Sequence, residues 1–103
     1  MKLIWSHQSA TDLNGVYDYY AEKSVRVAVE MYNSVIDEVE ILKSQPYIAA
    51  IELVLKDNPK DYRSLIVAKG KLKVVYFVKN DTIAIVRIWH CRQNPEDLKN
   101  SLV

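Results

Sequence analysis

The residues with chemistry to offer lie near the C-terminus, in the run His90-Cys91-Arg92. Histidine can act as acid or base close to neutral pH, so His90 is a candidate catalytic group. The plainer alternative is a strand-end histidine bonded to a turn, and strict alternation along the preceding strand turns His90 inward. Cys91 is the one cysteine of the chain. Neighbours on a regular strand point to opposite faces, so a Cys/His nucleophile pair is not expected. A single cysteine also excludes an internal disulfide and a Cys-rich zinc site. His7 has no partner that the sequence suggests. There is no Gly-rich phosphate loop, no nucleophile elbow and no metal-ligand spacing, so neither a metal nor a cofactor is expected.

Charge supplies the second candidate. Residues 1–50 carry four Lys/Arg and seven Asp/Glu, whereas residues 51–103 carry ten and six. Between Arg63 and Arg92 stand seven bases (Arg63, Lys69, Lys71, Lys73, Lys79, Arg87, Arg92) against one acid, Asp81, a net of +6. Such a basic half suggests an anionic partner, either nucleic acid or an acidic protein segment. The bland alternative is a sheet edge kept soluble by lysines.

These side chains need a scaffold, and 103 residues suffice for one domain, taken as 1–103. Half the residues are hydrophobic and a quarter charged, a globular mix. The opening seven residues are too short in apolar length for a signal peptide. The longest apolar runs, 47–51 and 74–78, cannot span a bilayer. The expected compartment is the cytoplasm.

Leu3-Ile4-Trp5 reads as a short first strand. Ser9 and Asp12 have capping-box spacing, and Leu13, Val16, Tyr17 and Tyr20 follow at helical intervals, predicting a helix over about 10–22. Ser24 can cap a second helix, whose stripe Val25, Ala28, Tyr32, Val35, Ile36, Val39 and Leu42 ends before Pro46. Residues 47–61 have no clean period and read as an irregular connection with about one helical turn. Arg63 to Val67, Leu72 to Val78 and Thr82 to Trp89 are β-branched and aromatic runs, the last two separated by Lys79-Asn80-Asp81, a meander of three strands. Asn94 and Pro95 are the N-cap and first residue of a short terminal helix.

The order β-α-α-β-β-β-α points to an α+β fold, a two-helix hairpin packed on an antiparallel β-sheet. Alternation assigns Leu72, Val74, Tyr76 and Val78, with Ala84, Val86 and Ile88, to the hairpin side. The opposite side then carries Val75, Phe77, Ile83, Ile85 and Trp89 with Lys73 and Arg87. A patch of that kind rarely faces water, so a partner covers it, or the terminal helix or the 47–61 segment does.

Read together, these pieces resemble the RelE/ParE superfamily of toxins from bacterial type II toxin–antitoxin systems. Trp5, Ala10, Asp12-Leu13, Val16 and Tyr19-Tyr20 are similar to its first strand and helix, and Ala28, Ile36, Leu42 and Pro46 to its second helix and stop. Tyr62-Arg63-Ser64-Leu65-Ile66-Val67, Val75-Tyr76 and Trp89-His90-Cys91-Arg92-Gln93-Asn94-Pro95 carry the likeness furthest. Many members have a glycine soon after the proline; here the run is Ile48-Ala49-Ala50.

The resemblance implies a choice of target. RelE-like members cut messenger RNA on the ribosome with basic side chains of the sheet, whereas ParE-like members poison DNA gyrase and have no accepted hydrolytic activity. Two lysines of the RelE type fall at Ser64 and Ile66, a middle-strand base is kept as Lys73, and one at the end of the last strand approximately as Arg92. The RelE-type tyrosine has no match, since no Tyr follows Tyr76. The likeness is therefore closer to ParE. It implies a plasmid-stabilisation toxin acting on gyrase or another nucleic-acid machine, with a cognate antitoxin as partner in a hetero-oligomer. The expected target- and antitoxin-binding residues are Arg63, Lys73, Arg87, Trp89 and Arg92. The alternatives are a ribosome-dependent mRNA endonuclease using His90, Arg92 and Lys73, and a degenerate member that only binds its antitoxin.

Overall fold

The computed structural model describes residues 1–102. The chain runs β1 (Lys2–Trp5), α1 (His7–Ala21), α2 (Val25–Glu38), β2 (Ala50–Ile51), β3 (Arg63–Val67), β4 (Leu72–Lys79), β5 (Thr82–His90) and α3 (Pro95–Ser101). Single-turn 3₁₀ segments occur at Val39–Lys43, where the second helix tightens, and at Leu53–Leu55. The five strands form one sheet in the order β1-β5-β4-β3-β2. It is mixed rather than purely antiparallel, because β1 lies parallel to β5 with Lys2 opposite Thr82 and Trp5 opposite Ile85.

The helix starts follow from side-chain oxygens. Ser6, not Ser9, caps α1 by accepting from the Ser9 N–H. Ser9 is instead wholly buried, and its hydroxyl donates to the carbonyls of Ser6 and Ile85. Ser24 caps α2 and Asn94 caps α3, whose first residue is Pro95, as expected. The β4–β5 turn has positive φ at Asn80 (51°) and Asp81 (60°), the backbone of a tight two-residue hairpin.

The hairpin α1/α2 covers one face of the sheet. Its core joins Leu13, Met31, Val35, Val39 and Leu42 to Leu72, Val74 and Tyr76 of β4 and Ile83, Ile85 and Ile88 of β5. The β4 assignment holds, but that of β5 is corrected: Ile83 and Ile85 face the hairpin, and Val86 faces away. The cause is a β-bulge. Val75 pairs with Arg87 while Tyr76 pairs with Ile85, so Val86 is an extra residue that shifts the alternation by one. Ile88 thus returns to the hairpin side, as expected.

The opposite face is covered by the chain itself. Leu98 of α3 and Leu55 of the 53–55 turn close over Val75, Trp89 and Tyr62, with Phe77 and Val86 packed at the margin. The apolar side of the meander therefore needs no partner to leave water. Leu98 is fully buried, so a helix of only two turns is held by one deep anchor.

Candidate functional site

The five basic and aromatic candidates do not form one surface. Lys73 projects to the α3 side of the sheet, where its ammonium bonds the carboxylate of Glu52. Ser64 donates to the same carboxylate oxygen at 2.8 Å, and the Val54 N–H to the other at 3.3 Å. Burial alone would raise the Glu52 carboxyl; the Lys73 and Ser64 hydrogen bonds, the Lys73 charge and the Val54 N–H outweigh it and hold it below its ordinary value. Lys73 is thus a neutralised cation. Glu52 was missed by sequence reasoning because its segment has no period; an acid among apolar residues (Ala49 to Leu55) was the available signal.

Arg63 is also engaged. Its guanidinium donates to the Ala49 carbonyl at 2.6 Å and lies over the Tyr47 ring, tying the β2 edge to β3. Arg87 forms a two-point bond with Asp12, at 2.7 and 3.1 Å. The same Asp12 carboxylate accepts from the Ile88 N–H at 3.0 Å, so it caps β5 where β1 has already turned into α1. Asp12 thus ties α1 to the sheet rather than closing a capping box. Trp89 is buried under α3, its ring stacked by Arg87.

Arg92 alone of the five stays free. It is exposed and has no ion-pair partner among the described residues. It borders a cleft of about 510 Å³ between one side of α1 (Thr11, Gly15, Tyr19, Tyr20) and the end of β5 with its following turn. His90 stands in that cleft, on the hairpin face, its Nε2 3.0 Å from the Tyr20 hydroxyl. The Arg92 backbone N–H points at Nδ1 (3.4 Å), which selects the tautomer with its proton on Nε2. Burial, then the charges of Arg92 and Lys71, lower the His90 pKa from 6.5, so the ring is neutral at pH 7.

His90 and Lys73 therefore lie on opposite faces of the sheet. Leu72, next to Lys73, is the residue that pairs with His90. Cys91 is exposed beyond the strand. Arg92 and His90 share a site, but the third group of the nuclease constellation is on the other side and held by Glu52. What remains is a cleft lined by Arg92, which has no ion-pair partner among the described residues, an exposed tyrosine and a neutral histidine.

A small α+β domain with a helical hairpin on a five-stranded sheet and a basic cleft at its end is the class of molecule defined so far. The family model of the ParE toxin of the type II toxin–antitoxin system, parDE, matches residues 3–95. The chain belongs to that family, and it is a type II toxin whose partner is an antitoxin. Ten solved chains match in structure. Among them, a chain of the chromosomal ParDE toxin–antitoxin system from P. aeruginosa superposes with a TM-score of 0.74 at 24% identity, covering 87% of this chain and 95% of that one, which shows the shared fold. A search of curated proteins found no match. No helix among the described residues is long and apolar enough to cross a membrane.

Proposed function

We propose that this toxin arrests growth in the cytoplasm by acting on DNA gyrase, without cutting RNA itself. The observation that supports this choice within the superfamily is the pairing of Lys73 with Glu52, on the face of the sheet away from His90. A nuclease site of this type needs its cations on one face, aimed at one phosphate. Here the middle-strand cation is spent on an intramolecular acid, and Ser64 stands beside it as a ligand of that acid.

Expression without the antitoxin tests this reading through two separate readouts, cleavage of messages and gyrase-dependent DNA breaks. Breaks without message cleavage are expected. His90→Ala should stay as toxic as the wild type. A general acid or base would cost about 10²–10⁴ in rate if lost, so message cleavage by the wild type, absent in a harmless H90A variant, would implicate the ribosome and support the endonuclease reading.

A further inference from the structure

The end of the sheet away from His90 carries a second cleft. β4 starts at Leu72, the partner of His90, and its eight residues carry it roughly 23 Å to Lys79. There the end of β4, Arg63 and the turn at 59–61 border a space of about 610 Å³, with Tyr47 in its wall. It shares no residue with the cleft beside α1.

Its cations are positioned differently from Lys73 and Arg87, which carboxylates fix and cancel. The Lys60 ammonium lies 5.1 Å from the centre of the Phe77 ring, and the Arg63 guanidinium 5.2 Å from that of Tyr47. A ring face holds a cation through its quadrupole and has no net charge of its own, so both positive charges stay whole. Phe77 is steadied in turn by a T-shaped contact with buried Tyr62, 5.6 Å between centroids. Lys79 adds a third, exposed cation. None of the three has an ion-pair partner among the described residues, and Asp61 is the one acid of the wall. Like charges gathered in this way repel one another, and an anion between them relieves the repulsion.

The rings say which anion. Tyr47 keeps 61% of its surface exposed, and Phe77 is only half-buried. An acidic peptide would use the cations and leave the rings idle. A strand of nucleic acid uses both, since its phosphates meet the cations and its bases stack on aromatic faces. Stacking of that kind needs bases that are not already paired in a duplex. We propose that this cleft binds single-stranded nucleic acid, with one base stacked on Tyr47 and the adjoining phosphates on Lys60 and Lys79. Arg63 backs the Tyr47 ring while its guanidinium stays bonded to the Ala49 carbonyl. Neither contact involves the sugar, so DNA and RNA strands fit alike. The site does not depend on gyrase being the target, and the two readings can fail separately.

The test measures fluorescence anisotropy of labelled oligothymidylate, oligouridylate, a DNA duplex of equal length and a poly-glutamate peptide with the full chain. Both single strands should bind alike, and more tightly than the duplex or the peptide. Tyr47→Ala should weaken strand binding about tenfold or more, and Tyr47→Trp should restore it. Lys60→Gln and Lys79→Gln should each reduce the slope of log affinity against log salt by about 0.7. Lys69→Gln removes the same charge at the opposite end of the sheet, in the β3–β4 turn, and should change little. The Tm of each variant should stay near that of the wild type, because all four positions are exposed. Folded Tyr47→Ala and Lys60→Gln chains that bind strands like wild type would overturn the site. Equal weakening by Lys69→Gln and Lys60→Gln would overturn it as well, by reducing the binding to general attraction. A preference for poly-glutamate would assign the cleft to an acidic protein instead, and a wild type that binds no strand at low salt would end the proposal.

Discussion

The two faces of the sheet treat their cations in opposite ways. On the α3 side Lys73 is folded under the 47–61 segment and cancelled by Glu52. On the hairpin side Arg92 extends from the turn after β5 with no ion-pair partner among the described residues, while Arg87, a few residues earlier, is cancelled by Asp12. Of a run that counts +6 in sequence, two charges are thus cancelled, by Glu52 and Asp12. A charge count locates basic residues; only pairing decides which of them a partner can feel. The difference also separates the two clusters by purpose. Glu52 and Lys73 join a covering segment to the sheet, whereas Arg92 borders a cleft that the chain leaves open.

The faces differ in depth as well, and this gives the largest expected effect. Val35 lies at the centre of the hairpin core with no exposed surface. Val35→Asp buries an unpaired carboxylate there, a cost of several kcal/mol and comparable to the whole stability of a small domain, so no soluble folded chain is expected. On the other face Leu98→Ala should cost about 2–4 kcal/mol by emptying a buried site, and should loosen α3 before the rest. Hydrogen exchange would separate these cases, with amides around α3 losing protection while those of β4 and β5 keep it. Simultaneous loss everywhere in L98A would mean that the two cores form one cooperative unit.

The ion pairs come next. Glu52→Gln leaves the largely buried Lys73 charge without its counter-charge and replaces a carboxylate acceptor by a weaker amide oxygen, and should destabilise by about 1–3 kcal/mol in a denaturant titration. The sign of its pH dependence follows from the lowered carboxyl. The stabilisation is complete above the ordinary value of 4.5 and fades as pH falls through the lower folded value. E52Q should therefore lose less stability than the wild type on going from neutral to strongly acid solution. Equal losses would show that the pair contributes nothing net, and that segment 47–61 is held by Leu55 and Tyr62 alone.

Most of the scaffold that supports this comparison could be read from residue types. Ser24, Pro46, Asn94 and Pro95 mark helix ends by chemistry that acts within a few residues, and the Asn80-Asp81 turn does the same for a hairpin. What escaped was non-local. The bulge at Val86 is invisible to alternation, because the residues on either side remain good strand formers; it reversed the assignment of Ile83, Ile85 and Val86. The parallel pairing of β1 with β5 is decided by how the hairpin crosses the sheet, beyond any local pattern. Ser6 and Ser9 are both good caps, and the choice between them rests on Ile85, far along the chain. Of the site, Arg92, His90 and Lys73 were legible as chemistry, but Tyr20, which bonds His90, lay in a helix read for packing, and Glu52, which bonds Lys73, in a segment with no period.

The smallest expected effect concerns the one titrating group of the open cleft. His90 is neutral in the fold for a structural reason as well as an electrostatic one: its Nδ1 faces the Arg92 N–H, which a protonated ring would meet with a second donor. Burial comes first among the causes that lower its pKa from 6.5, followed by the Arg92 and Lys71 charges. A histidine whose folded value is depressed binds its proton more readily when unfolded. Its contribution is then complete above 6.5 and is lost as pH falls through the lower folded value, which protonation of the native ring reaches last. Tm should accordingly fall between pH 7.5 and 5.5 in the wild type and fall less in His90→Gln, the difference being smaller than the shift from E52Q. Glu52 does not confuse the comparison, since its own window lies below 4.5. Arg92→Ala should give an intermediate slope, because it removes one of the two charges but neither the burial nor the backbone N–H. An equal pH slope in wild type and H90Q would mean that the ring is free to turn away from Arg92 when it protonates. The Tyr20 hydroxyl would then have no fixed orientation toward the cleft, and Arg92 would remain as its single directed polar group.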